Sequence, residues 1–337
     1  MEARTNCQQV TVRNLQQWAL SAASQFHNFP SNSYVSIKET AMIDKILTAA
    51  DIFWKQMLII IPNFHQDFII NTDQIECQYQ STYDGTLCMQ EAKAIFVERQ
   101  EVNKISHLYT TQYAITMSGK LLSHMFNPKI KKSVDEFAKR YTNVTITSSK
   151  FGKLTTYLYT QFLKETVIPF IGDGQTNPAL YDEIFLDDDG IGTCTIKVIP
   201  LKCAPLCQPC DVYFYRQVTN FIKRLQNCSF LTEQNCEISP REDCIKIHAI
   251  VHYQLSASIF ENMLRYAWFA SKLTDEREVF MNVNEECFPL DILKQSCNCN
   301  NAAFIRCARC RVNYCFACSY DNYHPAMCII SSTFTNE

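Results

Sequence analysis

The residue types best suited to chemistry are concentrated near the carboxyl end, in residues 297–328, whose sequence is CNCNNAAFIRCARCRVNYCFACSYDNYHPAMC. Its potential metal ligands are Cys297, Cys299, Cys307, Cys310, Cys315, Cys318, His324 and Cys328. Zinc prefers thiolate and imidazole donors, and eight of them supply two four-coordinate sites. A segment this short contains few apolar side chains, so zinc binding worth about 10–16 kcal/mol per structural site would help to offset the cost of ordering its backbone. We therefore expect a structural double-zinc module.

The spacing leaves open how the ligands divide between two ions. The simplest partition follows the chain, with Cys297, Cys299, Cys307 and Cys310 in one site and Cys315, Cys318, His324 and Cys328 in the other. The alternative is an interleaved cross-brace. With zinc counted, a site of four thiolates carries a net charge of about −2, and a site of three thiolates and one imidazole about −1. Arg306, Arg309 and Arg311 lie between the cysteine pairs and would offset part of this charge.

A second group of cysteines lies upstream of the module. Cys194, Cys203, Cys207 and Cys210 form the pattern C-x8-C-x3-C-x2-C, in a stretch that two prolines keep non-helical. One interpretation is a third zinc ion held by Cys203, Cys207 and Cys210, and the other is a set of core thiols. We interpret Cys228 and Cys236 as core thiols.

A third pattern places Cys244, His248 and His252 four residues apart, on one face of a predicted helix. The two histidines could clamp a metal ion. The residues between them are Ala-Ile-Val, so the glutamate that serves as the general base in zinc proteases is missing. We therefore favour buried histidines whose ring nitrogens are hydrogen-bonded within the protein.

The distribution of cysteine favours metal binding over disulfides. Of the 18 cysteines, three lie in residues 1–193 and fifteen in residues 194–337. The chain begins MEARTNCQQVTVRN, a polar stretch unlike an export signal, and we find no apolar run of the roughly 20 residues that a membrane span needs. We therefore expect a reducing compartment, where cysteines are usually free, catalytic or bound to metal.

Composition narrows the possible functions. The net charge of −3 argues against a polycationic nucleic-acid coat, and the hydrophobic content of 47% is enough for a sizeable core. With only 7 glycines in 337 residues, little material is available for a phosphate-binding loop. Since no hydrolase, nucleotide-binding or kinase motif occurs, we expect a protein that is not an enzyme.

Periodicity predicts a helix-rich α+β fold with a C-terminal zinc-stabilised module. Apolar residues at helical spacing predict helices, and short β-branched runs predict strands. The predicted helices cover Val12–Phe26, Ile43–Leu58 with Ser36 and Glu39 as its capping box, Ile105–Phe126, Leu154–Val167, Val212–Leu225 and Ile245–Leu273. The predicted strands cover Asp67–Asn71, Asn143–Thr147 and Thr193–Leu201. We expect a helix-rich part over residues 1–190, a cysteine-containing middle part over 191–290 and the zinc module over 291–337.

Two resemblances bear on function. The pattern C-x2-C-x4-C-x2-C from Cys307 to Cys318, followed by His324 and Cys328, resembles the in-between-RING zinc element of some ubiquitin ligases. A working ligase of that class would also need a RING before this element and a catalytic-cysteine domain after it, and we expect neither. The layout as a whole, an ordinary N-terminal part followed by clustered C-x-x-C pairs, resembles the late-gene transcription factors of beta- and gamma-herpesviruses. The low glycine content would suit an A/T-rich roseolovirus genome.

The second resemblance implies a hub without enzymatic activity. Proteins of that family assemble a viral pre-initiation complex, and the member with this layout bridges a TATA-binding-protein-like factor, which recruits host RNA polymerase II, to the other subunits in the nucleus. Promoter DNA would be read mainly by the partner. The alternatives are a ubiquitin-ligase-like zinc protein and direct nucleic-acid binding, with Arg306, Arg309 and Arg311 on phosphates and Tyr314, Phe316 and Tyr323 stacking on bases.

Overall fold

The computed structural model describes residues 37–78, 108–127, 140–147, 155–171, 196–231 and 241–328. Its α-helices are α1 (Ile37–Ile60), α2 (Thr156–Phe162), α3 (Ile168–Ile171), α4 (Ala204–Cys207), α5 (Tyr215–Leu231), α6 (Arg241–Leu255), α7 (Glu261–Ala270) and α8 (Val283–Glu286). Its strands are β1 (Ile70–Gln78), β2 (Leu108–Thr116), β3 (His124–Asn127), β4 (Val144–Ile146), β5 (Ile305–Arg306) and β6 (Asn313–Tyr314). The predicted helix over Val12–Phe26 lies outside the described residues.

The architecture is helix-rich α+β, as predicted. β1 to β4 form a four-stranded sheet in chain order, and β5 pairs with β6 in a separate two-stranded ribbon. β1, β2 and β3 are antiparallel neighbours, whereas β4 runs parallel to β3. Among the described helices, none combines the length and the apolar character that crossing a membrane requires.

The first helix confirms the predicted helix and the proline at its end. α1 spans Ile37–Ile60 and passes into a short 3-10 turn, Ile61–Asn63, that contains the proline expected to stop it, whereas the predicted cap residue Ser36 lies outside the described residues. Trp54 anchors the helix, because its indole N–H donates to the carbonyl of Ser271 over 2.8 Å. α1 is thereby fixed against the residues that follow α7.

The prediction of a helix over Ile105–Phe126 is wrong for the residues described there. This stretch forms β2, a turn at Gly119 and β3. The sequence LYTTQYAIT is rich in β-branched and aromatic residues, and its pairing with all nine residues of β1 outweighs the partial helical spacing. Gly119 has φ +93°, and a Cβ there would lie 2.4 Å from the carbonyl oxygen of Glu261, so this turn requires glycine.

Three further predictions agree with the structure in kind and differ in extent. The helix over Leu154–Val167 is α2 followed by a π-helical turn, Leu163–Val167, and the strand over Asn143–Thr147 is β4. The helix over Val212–Leu225 becomes α5, preceded by a π-helical turn at Cys210–Phe214.

Three other predictions need larger corrections. The strand over Asp67–Asn71 begins only at Ile70, after a 3-10 turn at Gln66–Phe68. Residues 196–200, the described part of the strand over Thr193–Leu201 before its final turn, have no regular structure. The long helix over Ile245–Leu273 is two helices, α6 and α7, separated by residues 256–260.

The largest core cluster joins the sheet, the helices and the cysteine-rich C-terminal segment. Tyr113 of β2, Phe221 of α5 and Ile250 of α6 belong to it, as do Ile305 and Phe316 of the segment. Ring contacts continue this core from Phe221 to Phe288, Phe304 and Phe316. The side chains of the segment are therefore part of the central core, which holds the segment in one position against α5 and α6.

Candidate metal centre

The eight predicted ligands form two groups. Cys297, Cys299, Cys315 and Cys318 make up the first group, called the all-cysteine site, and Cys307, Cys310, His324 and Cys328 make up the second, called the histidine-containing site. Within each group the potential ligand atoms all lie within 4.8 Å of one another. The sequential partition is therefore wrong, and the interleaved cross-brace is the arrangement that the structure contains.

The distances between donor atoms fit a zinc ion. Two thiolates on one tetrahedral zinc are about 3.8 Å apart, and a thiolate and an imidazole nitrogen about 3.6 Å, from bond lengths of about 2.3 and 2.05 Å. The Sγ atoms of Cys299 and Cys315 are 3.5 Å apart, and those of Cys307 and Cys328 are 4.0 Å apart. Cys310 Sγ lies 3.5 Å from His324 Nε2. Each site can hold a metal ion, and its donors are compatible with zinc.

The β5–β6 ribbon explains why the ligands interleave. Ile305 pairs with Tyr314 at the base of the ribbon, and Cys307 and Cys310 lie in the turn at its tip. Because the strands are antiparallel, Cys315 returns to the base, next to a bridge between Ser296 and Ala302 that closes the turn carrying Cys297 and Cys299. The four steps along the chain from Ala303 to Cys307 span about 13 Å as a strand, so the first two cysteines cannot share an ion with the pair at the tip.

Left-handed residues shape the turns that present the thiols. Asn300 has φ +65° directly after Cys299, and Arg311 has φ +64° directly after Cys310. The turn at the tip is closed by the amide of Arg311, which donates to the carbonyl of Cys307 over 2.9 Å. Such turns let a close cysteine pair aim both sulfurs at one point, as a metal knuckle requires.

The C-terminal turn of α6 forms the outer shell of the histidine-containing site. The side-chain amide of Gln254 donates to Cys307 Sγ over 3.4 Å, and its carbonyl oxygen accepts from the amide of Ala308 over 2.7 Å. Gln254 is buried, and burial raises the pKa of Cys307 while the Gln254 hydrogen bond opposes that rise. The neighbouring Tyr253 hydrogen-bonds the Cys328 thiol. Helix and metal site are therefore directly connected.

The all-cysteine site has a different environment. Cys299 is exposed and Cys318 half-buried, whereas Cys297 and Cys315 are buried. Its thiols contact one another and nearby backbone, including the amide of Cys318, which donates to Cys315 Sγ over 3.5 Å. The backbone of Asn301 is the main cause that lowers the pKa of Cys299 to about 7.

Two of the three predicted phosphate-binding arginines make close internal contacts. Arg309 donates to the carbonyl of Tyr253 over 3.0 Å and to the carbonyl and hydroxyl of Ser256 over 3.3 and 2.8 Å, and so satisfies acceptors at the end of α6. Arg311 forms an ion pair with Glu286, whose side chain is fully buried. Arg306 donates to Asn313 Oδ1 over 3.3 Å. The first two arginines thus attach the metal-binding segment to α6 and α8.

The aromatic side chains predicted to stack on bases also contact protein groups. Phe316 is buried against Tyr320, with the ring centroids 5.1 Å apart. Tyr314 stacks on the ring of His324 at 4.0 Å, and Tyr323 meets Tyr141 edge-on at 5.0 Å. These rings therefore support the ligands and the core.

The upstream cysteines lie apart from these sites. Cys203 and Cys207 belong to a core cluster with residues of α1, whereas Cys210 belongs to the central core and lies 4.0 Å from the carbonyl of Asn71. In the described part of the chain these three thiols do not come together as a ligand group; Cys194 and Cys236 lie outside it, and Cys228 lies where no side chain is described. Burial raises the pKa of Cys207 to about 11 and that of Cys210 well above its usual value, as expected for protonated core thiols.

The two histidines of α6 are buried and hydrogen-bonded, as predicted. The ring nitrogens of His248 lie 2.8 Å from the hydroxyls of Tyr109 and Tyr113 on β2. Nε2 of His252 lies 3.0 Å from the carbonyl of Leu122. Burial lowers the pKa of His248 to about 3 and that of His252 to about 4, so both rings stay neutral and hold α6 against the sheet.

A carboxyl pair lies between β1 and the turn that precedes α5. Burial and the neighbouring Asp211 raise the pKa of Asp73 to about 7, and burial also raises the pKa of Asp211. The two carboxyl groups are hydrogen-bonded to each other, a contact that requires one of them to be protonated. Sequence reasoning missed this pair because its members lie 138 positions apart.

Sequence reasoning also missed the residues that connect the metal sites to the rest of the protein. Gln254 and Glu286 lie far from the cysteines in the chain, and neither belongs to a recognisable spacing. The described cysteines are all free thiols. Comparisons of the chain with protein-family models, curated proteins and solved structures find no match.

Proposed function

We propose that this protein is a zinc-stabilised adaptor that acts by protein–protein contact and catalyses no reaction. The observation that supports this proposal is the composition of the two metal sites. Each has four protein donors, which is the closed arrangement of structural zinc, whereas catalytic zinc usually keeps one position for water or substrate. Zinc at both sites would fix the cross-braced segment as a rigid surface.

Exposed apolar side chains next to the sites suggest where a partner binds. Leu290 is fully exposed and Leu293 is 68% exposed, and both lie in the short connection between α8 and Cys297. Met327, next to the last ligand, is 62% exposed. Exposed apolar side chains grouped on a rigid support are typical of a protein-interaction surface.

The resemblance in layout supplies the setting of this proposal. The adaptor would join a viral TATA-binding-protein-like subunit to the other late-gene factors, and so indirectly to host RNA polymerase II, in the nucleus of an infected cell. The internal contacts of Arg309 and Arg311 favour this function over direct binding of phosphates.

Co-purification of this chain with the TATA-binding-protein-like factor of the same genome tests the proposal. Leu290→Asp combined with Leu293→Asp is expected to abolish association while zinc content and helical circular dichroism remain unchanged. Leu201→Asp, at a leucine that is 87% exposed in another segment, is the matched control and is expected to bind normally. The proposal is contradicted if the double variant still associates with the factor and the purified chain transfers ubiquitin or binds DNA in a salt-dependent way.

A further inference from the structure

The two metal sites differ in how accessible their sulfur atoms are. In the all-cysteine site Cys299 is exposed and Cys318 is half-buried. In the histidine-containing site Cys307, Cys310 and His324 are all buried, and Cys328 is half-buried. An electrophile from solvent therefore reaches the first set of ligands more readily than the second.

Side chains of α6 increase the difference. Cys307 accepts from the buried side chain of Gln254, and Cys328 is hydrogen-bonded by Tyr253, so two residues of α6 cover sulfurs of the histidine-containing site. The contacts of Cys299 are with other cysteines of its site and with the local backbone. A fixed outer shell of side chains restricts access to the ligands and raises metal affinity.

The exposed thiol has a partner at short range. Cys299 Sγ lies 3.5 Å from Cys315 Sγ, within the same four-ligand set. Closing this gap to a bond of about 2.05 Å needs a movement of about 1.5 Å, which is possible at an exposed turn.

From these observations we propose that the all-cysteine site is a site of oxidative modification, where a peroxide converts Cys299 and Cys315 to a disulfide while the histidine-containing site stays intact. The inference rests on the proposed function, because it assumes that both sites hold zinc. The Cys299 thiolate attacks one peroxide oxygen, the O–O bond breaks, and a sulfenic acid and hydroxide form. The Cys315 thiolate then attacks that sulfur and displaces a second hydroxide. Two thiolates lose two electrons, the peroxide gains them, and the two remaining thiolates no longer retain the ion.

Native mass spectrometry of the full-length, zinc-loaded chain during titration with hydrogen peroxide tests this inference. We expect a one-zinc species that is two hydrogen atoms lighter than the reduced one-zinc chain before any species without zinc accumulates. Peptide mapping is expected to place the new disulfide at Cys299–Cys315, with Cys307 and Cys310 still open to alkylation after denaturation. Reduction with a thiol and added zinc should restore the two-ion form.

Gln254→Met tests the protection that α6 provides. We expect this substitution to weaken zinc binding at the histidine-containing site by roughly 10- to 100-fold and to make its loss overlap with that of the all-cysteine site. Gln295→Met, at an exposed glutamine just before Cys297, is the matched control and should leave the order of loss unchanged. Simultaneous loss of both ions from the unmodified chain, or earlier oxidation of Cys307, would refute the inference alone. A purified chain without zinc would instead refute the proposed function as well.

Discussion

Replacement of Arg311 by methionine is expected to destabilise the protein by leaving a buried carboxylate without a partner. Glu286 is fully buried, and among the described residues no donor other than the Arg311 guanidinium reaches its oxygens. Removing one member of a buried ion pair typically costs about 3–5 kcal/mol. This cost cannot exceed the free energy of protonating the unpaired carboxylate, which at pH 7 is about 3.7 kcal/mol for a group with an ordinary pKa of 4.3. We therefore expect Arg311→Met to lower the free energy of unfolding by about 3–3.7 kcal/mol at pH 7.

The pH dependence makes this prediction specific. In the variant, burial raises the pKa of Glu286 in the folded state above that in the unfolded state, so stability falls as pH rises above about 4. At pH 5 the cost of protonating the carboxylate is only about 1 kcal/mol, so the variant should lose correspondingly less unfolding free energy than at pH 7. Denaturant unfolding at fixed free zinc, followed by circular dichroism at pH 5 and pH 7, measures both values.

Two further variants complete the test. Glu286→Gln combined with Arg311→Met removes the charge together with its partner and should recover most of the lost stability at pH 7. Arg306→Met, at a half-buried arginine of the same segment, should cost less than about 1.5 kcal/mol. An Arg311→Met variant that loses under about 1 kcal/mol at pH 7, or a deficit that does not change with pH, would refute the reasoning.

Three other predictions concern the body of the protein. Tyr109→Phe removes a hydrogen bond from a ring nitrogen of buried His248 and should cost about 1–3 kcal/mol in denaturant unfolding, whereas the exposed Tyr157→Phe should cost almost nothing. The folded-state pKa of Asp73 is raised to about 7, so its contribution to stability is present below pH 4 and is lost as pH rises from 4 to 7. The free energy of unfolding should fall by at most about 1.4 kcal/mol per pH unit in this range, and Asp73→Asn should remove that slope. Gly119→Ala forces a Cβ into a backbone carbonyl and should lower the unfolding free energy by at least about 2 kcal/mol, and an unchanged thermal midpoint would contradict that geometry.

The ligand set could be predicted from the sequence because donor chemistry and local spacing identify it. The eight side chains lie in 32 consecutive residues, and a close C-x-x-C pair needs only a tight turn to aim both sulfurs at one ion. The partition could not be predicted in the same way. It depends on the β5–β6 ribbon, whose strands are only two residues long and carry no clear strand signal. Folding back at the ribbon places Cys315 beside Cys297, although 18 positions separate them.

Helix α1 and the break between α6 and α7 show the same contrast within the fold. The sequence of the first helix carries a capping-box pattern, an apolar stripe and a terminating proline, all local signals. The segment from Ser256 to Phe260 keeps apolar residues at helical spacing, yet the chain turns there because Phe260 is buried in the central core and Arg309 satisfies the end of α6. Such long-range contacts also outweigh helical spacing in β2, which pairs along its whole length with β1.

Zinc stoichiometry in paired cysteine variants tests the cross-braced double site most directly. The unmodified chain is expected to hold two ions per molecule by native mass spectrometry. Cys297→Ser combined with Cys315→Ser affects one site twice and should leave one ion, whereas Cys297→Ser combined with Cys307→Ser affects both sites and should leave none firmly bound. The opposite pattern, or an unmodified chain that folds without zinc, would contradict the account.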